Sequence, residues 1–262
     1  MTEIVDTLIY ERAPWIESSS VPTAVLESFL KCCLNYNGTL SEGFRLEHLS
    51  GKEIFNTVGN EIARHVTISD VNNTRALGPA SIVENHPTDI ADAIVLHHFL
   101  KAKRPDLYFF ANSDVLRVFP QLEAHIDPVE WRKEKPNKSR TQASLAFIKK
   151  IMGQGRLGVI FPSGRFAKIT GLKLVEQEWM ISAVAIAKKY DVAIVPVHIS
   201  ARNSYLFYLF DMIHTTLRHI ALFRDPRAAI ASLKSIINSL GCLSKTHRQT
   251  SQKGRWKEIL IW

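Results

Sequence analysis

The sequence predicts an α/β fold, a mostly parallel central sheet flanked by helices with an N-terminal helical segment ahead of it. From about residue 80 onward, short apolar runs that stop at turn residues alternate with longer runs of helical period, which is the rhythm of βαβ units. Before that point the apolar residues recur at helical spacing only. The length of 262 residues exceeds an average domain but fits one layered α/β unit with an extension, and a hydrophobic content of 46% suffices for a sizeable core. Three segments are expected: an N-terminal lead-in and helical segment over 1–70, an α/β domain over 71–240, and a basic polar tail over 241–262.

Residues 1 to 22 read as a loose lead-in, because Pro14, the run Ser18 to Ser20 and Pro22 interrupt regular structure. From Thr23 to Leu34, the residues Val25, Leu26, Phe29, Leu30, Cys33 and Leu34 recur as they do on a helix. Its polar face lacks the lysine and arginine wealth of an interfacial helix, which favours packing on the core over a membrane contact. Residues 44 to 66 predict further helix, broken near Ser50-Gly51. Ala80 to Glu84 then reads as a buried strand, Ile90 to Ala102 as helix, Leu107 to Ala111 as strand, and Ser113 to Phe119 as a short helix ended by Pro120. A strand is expected at His125 to Val129, a basic polar loop at Arg132 to Arg140, helix at Thr141 to Met152, and strand at Leu157 to Phe161. Trp179 to Tyr190 predicts helix, Val192 to Ile199 an edge or interrupted strand because of Pro196, and Tyr205 to Phe223 a long apolar helix. No internal repeat is present.

The formal net charge of +8 implies anionic company, whether phosphorylated small molecules, nucleic acid or an anionic membrane surface, and does not choose among them. Cys32, Cys33 and Cys242 are odd in number and lack metal-ligand spacing, which suits a reducing compartment. The opening residues show no basic stretch followed by an apolar one, so no secretory signal is expected, and no window is apolar enough to span a membrane.

The chemistry gathers at Asn85 to Asp92, where a strand-like run stops and a helix-like run begins. A histidine at such a turn can stand over the carboxyl edge of a sheet, and an acid in the next turn can reach back to one ring nitrogen. The pair would be a general base with an orienter, since the carboxylate fixes the tautomer and stabilises the imidazolium. Spacing alone leaves a second reading open, in which Asp89 and Asp92 are the N-cap and first-turn acids that a helix start favours. Two further motifs end strands: Pro162-Ser163-Gly164-Arg165, and Val195-Pro196-Val197-His198. Gly164 permits close backbone approach, and the planar guanidinium of Arg165 suits a phosphate. His97, His98 and His198 show no metal spacing with His86 and read as core or surface histidines. The aromatic run Tyr205, Phe207, Tyr208 and Phe210 reads as core, with a membrane face between Arg202 and Arg218 as the second reading.

Asn85-His86-Pro87, then Phe161-Pro162-Ser163-Gly164-Arg165, then Ile194-Val195-Pro196-Val197 occur in the order seen in the glycerolipid acyltransferase family, which acylates glycerol 3-phosphate and its mono-acylated product. Over roughly residues 75 to 223 the chain resembles that family, and most closely a bacterial branch whose first motif reads near Asn-His-Pro-Thr-Gly-Ile-Ala-Asp-Gly. The resemblance implies His86 as catalytic base with Asp92 as its partner and Asp89 in reserve, and Ser163, Gly164 and Arg165 as substrate-binding residues. Two departures weaken the binding motif: Ser163 stands where the family has glutamate, and Arg165 directly follows the glycine instead of lying two beyond it. Arg117 and Arg132 could serve the acceptor, though exposed surface arginines are the simpler reading. The implied reaction moves a fatty acyl group from acyl-CoA or acyl carrier protein to a lysophospholipid hydroxyl, without cofactor, metal or nucleic acid. The implied place is peripheral, on the cytoplasmic face of a membrane. Alternatives are acylation of glycerol 3-phosphate or of a lyso-aminolipid, or a non-catalytic basic membrane-binding module.

Overall fold

A computed structural model of the protein describes residues 1–17, 21–68, 78–129, 138–165, 167–170, 173–213 and 235–239. The main sheet is built from β1 (Val66–Ile68), β2 (Ala80–Glu84), β3 (Tyr108–Asn112), β4 (Ile126–Val129), β5 (Leu157–Ile160), β8 (Ala193–Ile199) and β9 (Ser235–Ser239), while β6 (Lys168–Thr170) and β7 (Lys173–Val175) make a separate hairpin. Its spatial order is β1-β9-β8-β2-β5-β3-β4. Strands β2, β3, β4, β5 and β8 run parallel, β9 runs antiparallel to β8, and β1 is parallel to β9. The expected mostly parallel sheet is therefore present, and its centre is β2, between β5 and β8.

All five residues of β2 are buried, as a strand covered on both faces requires. Because neighbouring strand residues point to opposite faces, Phe109 of β3 packs with α4 (Gly51–Ile62) and α5 (Ile90–Leu100), whereas Tyr108 packs with α7 (Lys138–Gly153) and α8 (Ser182–Tyr190). Phe55, Val58, Ile62, Val95 and Leu96 cover the first face of the sheet. Ile148, Ile151, Met152 and Ala187 cover the second. The result is a sheet between two helical layers, which leaves the carboxyl ends of β2, β5 and β8 side by side at one edge.

The N-terminal segment is more ordered than its prolines and serines suggest. Instead of a loose lead-in, Thr2–Arg12 forms α1, with Val5, Leu8 and Ile9 buried at positions i, i+3 and i+4. α2 (Val21–Cys33) and α3 (Tyr36–Leu46) follow, and Val5, Ile9, Leu30 and Leu34 share a core with Phe207, Tyr208 and Phe210 of α9 (Tyr205–Ile213). Arg12 donates to Asp114 Oδ2 at 2.5 Å and ties α1 to α6 (Asp114–Val118). α2 departs from the expected core helix on one side: Val25, Leu26 and Phe29 are exposed.

The helix break expected near Ser50 is real and has a local cause. Ser50 caps α4 through a capping box, its hydroxyl accepting from the Glu53 N–H while the Glu53 carboxylate accepts from the Ser50 N–H at 2.9 Å. Pro196 does not mark an edge. β8 lies between β2 and β9, and its β9 pairing runs over Val197, His198 and Ile199, beyond the residue that lacks an N–H. The helix expected from Trp179 starts at Ser182, and the long helix expected to Phe223 is described as far as Ile213. Arg132, Arg218 and the tail expected over 241–262 lie outside the described residues.

Ser50→Ala removes the side-chain half of the capping box, and the expected cost is about 1 kcal/mol of stability, measurable as a lower midpoint in urea denaturation with an unchanged slope.

Candidate active site

His86 lies two residues beyond the end of β2, and four hydrogen bonds fix the turn that carries it. The Asn85 amide imitates a strand residue: Nδ2 donates to the Ile199 carbonyl at 2.8 Å and Oδ1 accepts from the Ile199 N–H at 2.7 Å. This clamps the carboxyl ends of β2 and β8 together. The His86 carbonyl accepts from the Ala167 N–H at 2.9 Å, and the His86 N–H donates to Glu176 Oε1 at 3.2 Å. The ring itself stacks on Phe161, at the end of β5, with centroids 4.1 Å apart. Three strand ends thus gather around the His86 turn, at the point where the connections that follow β2 and β8 leave toward opposite sides of the sheet.

Both acids reach the ring, one at each nitrogen. Asp92 Oδ2 lies 3.0 Å from Nδ1, and Asp89 Oδ1 lies 3.3 Å from Nε2. Asp92 is in the first turn of α5, where the helix N-terminus favours a carboxylate, and it is almost fully buried. Thr88 satisfies it from the other side: its N–H donates to Oδ2 at 3.0 Å and its hydroxyl donates to Oδ1. Asp89 occupies the N-cap position expected of it, yet its side chain makes no capping bond. Its backbone sits at φ 69 and ψ −125, a conformation suited to glycine, and this places the carboxylate beside His86. The choice between a helix cap and a histidine partner therefore resolves to a partner on each ring nitrogen.

Burial opposes a charged imidazole, but the hydrogen bonds and charges of Asp89 and Asp92 outweigh it, and the His86 pKa is pushed up to about 10. The free protein consequently holds the ring protonated at neutral pH.

Two further acids crowd this edge, and neither was identified from the sequence. Glu84, the last residue of β2, is fully buried, and neither carboxylate oxygen has a hydrogen-bond partner among the described residues. Burial, with the nearby Asp92 and Glu176 charges adding to it, pushes its pKa well up. Glu176 is raised by burial too, but hydrogen bonds from Ser163, the His86 N–H and the Trp179 side chain work in the opposite direction, as does the charge of His86. Glu176 follows the β6–β7 hairpin and has no motif spacing to His86, which is why sequence reasoning missed it. Asn85 was visible in the motif, but its link to Ile199 needs the β2–β8 register.

The binding motif divides. Ser163 is buried and serves its own turn: its hydroxyl donates to the Arg165 carbonyl at 2.6 Å and lies within reach of Glu176, and its single hydrogen can serve one acceptor at a time. Gly164 adopts φ 57, which the turn requires and which glycine tolerates without penalty. The Arg165 side chain is exposed and has no hydrogen-bond or ion-pair partner among the described residues, so its guanidinium is available to an anion. Arg117 instead pairs with Glu11 of α1 at 2.7 Å and with Asp114 at 3.4 Å, and belongs to the junction with the N-terminal segment. His97 is buried in the core against Phe55, and burial, aided by nearby positive charge, lowers its pKa to about 4.

The fold is that of an α/β protein that holds an imidazole between two carboxylates at the carboxyl edge of its sheet. A family model described as Acyltransferase matches residues 65–200, more than half of the chain and the whole of the His86, Phe161 to Arg165 and Pro196 constellation, and the protein belongs to that family. No curated protein matches the sequence. Among solved structures it is similar to the crystal structure of the 1-acyl-sn-glycerophosphate (LPA) acyltransferase, PlsC, from Thermotoga maritima. The identity is 13% and the TM-score 0.49, with 90% of this chain and 93% of that chain covered.

Glu84 generates a sign-specific prediction. Its native pKa is raised above the unfolded value, so its contribution favours folding most at low pH and is lost as pH rises. Glu84→Gln keeps the shape and removes the titration. The variant should gain stability relative to wild type as pH is raised from about 4 to 8, since unfolded glutamate ionises near 4.3, and thermal melts across that range would show it.

Proposed function

We propose that the protein transfers a fatty acyl group from a thioester, on CoA or acyl carrier protein, to the hydroxyl of a lysophospholipid, with 1-acylglycerol-3-phosphate as acceptor, in phospholipid biosynthesis. The observation that carries the reading is the His86–Asp92 pair at the edge where β2, β5 and β8 end, within a chain of the acyltransferase family. Asp92 holds Nδ1, so Nε2 is the nitrogen that meets the acceptor hydroxyl. Neutral His86 takes the hydroxyl proton as the oxygen bonds to the thioester carbonyl carbon, the C–S bond breaks, and the thiolate departs. This route needs neither a serine nor a cysteine nucleophile. The Arg165 guanidinium supports an anionic head group on the acceptor, as a phosphate would supply.

Binding at a membrane surface, on its cytoplasmic face, agrees with three observations. No helix among the described residues is long and apolar enough to cross a membrane. Val25 and Phe29 of α2 and Met212 and Ile213 of α9 are exposed beside the core that those two helices share. A net charge of +8 suits anionic lipid.

His86→Ala should reduce acyl transfer by about 10² to 10⁴, the usual worth of a positioned general base, with the fold intact by circular dichroism. The assay follows thiol release from acyl-CoA in the presence of lysophosphatidate, and is repeated with acyl carrier protein. Wild-type protein that releases no thiol from either carrier, with or without acceptor, would be a binding module. Release that ignores the acceptor would make it a hydrolase. Because His86 of the free protein starts protonated, kcat/KM should climb with pH through neutrality and above, and a flat profile over that range would contradict a histidine base. Val25→Asp with Phe29→Asp should weaken co-flotation with anionic vesicles while leaving thermal stability within about 0.5 kcal/mol, since both side chains are exposed.

A further inference from the structure

The nitrogen that the acceptor hydroxyl must reach is already occupied. Asp89 Oδ1 lies 3.3 Å from His86 Nε2, while Asp92 holds Nδ1 at 3.0 Å. Asp89 reaches Nε2 from a backbone conformation, φ 69, that a residue with a side chain rarely adopts. Its carboxylate forgoes the capping bond open to an aspartate at a helix start, and caps nothing. Among the described residues, the contact that compensates for the strain and the missing cap is the one with the imidazole. We propose that Asp89 is a displaceable counter-ion of the catalytic histidine, holding Nε2–H in the free protein and yielding that nitrogen to the acceptor hydroxyl. This rests on the acyl-transfer reading of His86.

The charged surroundings fit a two-carboxylate clamp. Asp89 faces the ring from the turn and Asp92 from α5, Glu176 accepts from the His86 N–H from the segment after β7, and Glu84 stands at the end of β2, where burial and its acidic neighbours raise its pKa. Against the ring faces lies Phe161, which adds no charge. Asp92 is 1% exposed at its side chain and cannot move without losing Thr88, whereas Asp89 is 27% exposed and has solvent to move into. The difference assigns the roles: Asp92 is fixed and Asp89 is mobile.

The proton steps balance. In the free protein both ring nitrogens carry protons, one toward each carboxylate. The Nε2 proton passes to Asp89 and on to water, which leaves a lone pair on Nε2. The acceptor hydroxyl replaces Asp89 there and gives its proton to Nε2 as its oxygen bonds to the carbonyl carbon and the thiolate leaves. The new Nε2 proton then returns to Asp89 and to solvent, and the site is reset.

The test pairs a titration with a rate. The His86 imidazole is followed by NMR in free wild-type protein, in Asp89→Asn, which keeps the shape, and in Asp89→Gly, which relieves the backbone; its signal is assigned by its loss in His86→Gln. In both variants the His86 midpoint should fall by about 1 to 3 pH units, the range for losing one adjacent opposite charge. The acid limb of kcat/KM for transfer from acyl-CoA to lysophosphatidate should move down with it, so that below neutral pH the variants outpace wild type. If either folded variant keeps the wild-type midpoint, Asp89 does not hold the ring and the proposal is overturned even though transfer proceeds. If wild type transfers to no acceptor from either carrier, the acyl-transfer reading fails first, whatever the titration shows, and the role of Asp89 falls with it.

Discussion

The bond between His86 Nδ1 and Asp92 is the interaction on which the rest of the site depends. A carboxylate buried to this degree is tolerable only when its oxygens are satisfied, and here an imidazole, a backbone amide and a hydroxyl do so within one turn of chain. That requirement dictates much around it. The chain must bend sharply between β2 and α5, Thr88 must present both its N–H and its hydroxyl, and α5 must begin where its N-terminal amides favour the charge. Because β2 is the central strand, the pair is held by the most deeply packed part of the molecule, and the positional error left to the imidazole is small.

The acids around this pair work in different ways although they share one chemistry. Asp92 is the orienter, with its bonds complete. Glu176 is a brace between two turns, joining the His86 N–H to the Ser163 turn and Trp179. Glu84 is buried without a hydrogen-bond partner among the described residues, and burial disfavours its charged form. Asp89 alone is both strained and partly exposed. A stable fold with no task would not gather four carboxyl groups at one strand end, since each buried one costs free energy that hydrophobic residues in its place would not.

α1, α2 and α3 pack around a core shared with α9, and ion pairs from Arg12 to Asp114 and from Arg117 to Glu11 tie α1 to α6. Their packing uses only part of their apolar surface. Leu30 of α2 and Leu34 just after it face the core, while Val25, Leu26 and Phe29 stay in solvent. The sparse basic residues of α2 argue for core packing, and half of that argument holds; the other half fails because a helix with apolar residues at adjacent positions cannot bury them all against one neighbour.

The sequence by itself determined what depends on short-range periodicity and turn chemistry. β2 over Ala80 to Glu84, the break at Ser50 and the parallel rhythm of the sheet were all legible, because each rests on neighbours within a few residues. α1 was missed although Val5, Leu8 and Ile9 carried its period, because the breakers that follow it weighed more in the reading than the burial that α9 and α2 provide. Only the tertiary structure decided the partners. Asn85 meets Ile199 across 114 residues and His86 meets Glu176 across 90, and no local pattern encodes a register between strands so far apart in the chain. It also decided between the two aspartates by using both, because a backbone turn at positive φ brings Asp89 to Nε2 while a helical turn brings Asp92 to Nδ1. Spacing along the chain sets which residues can approach one ring; the direction from which each arrives is set by the fold that surrounds it.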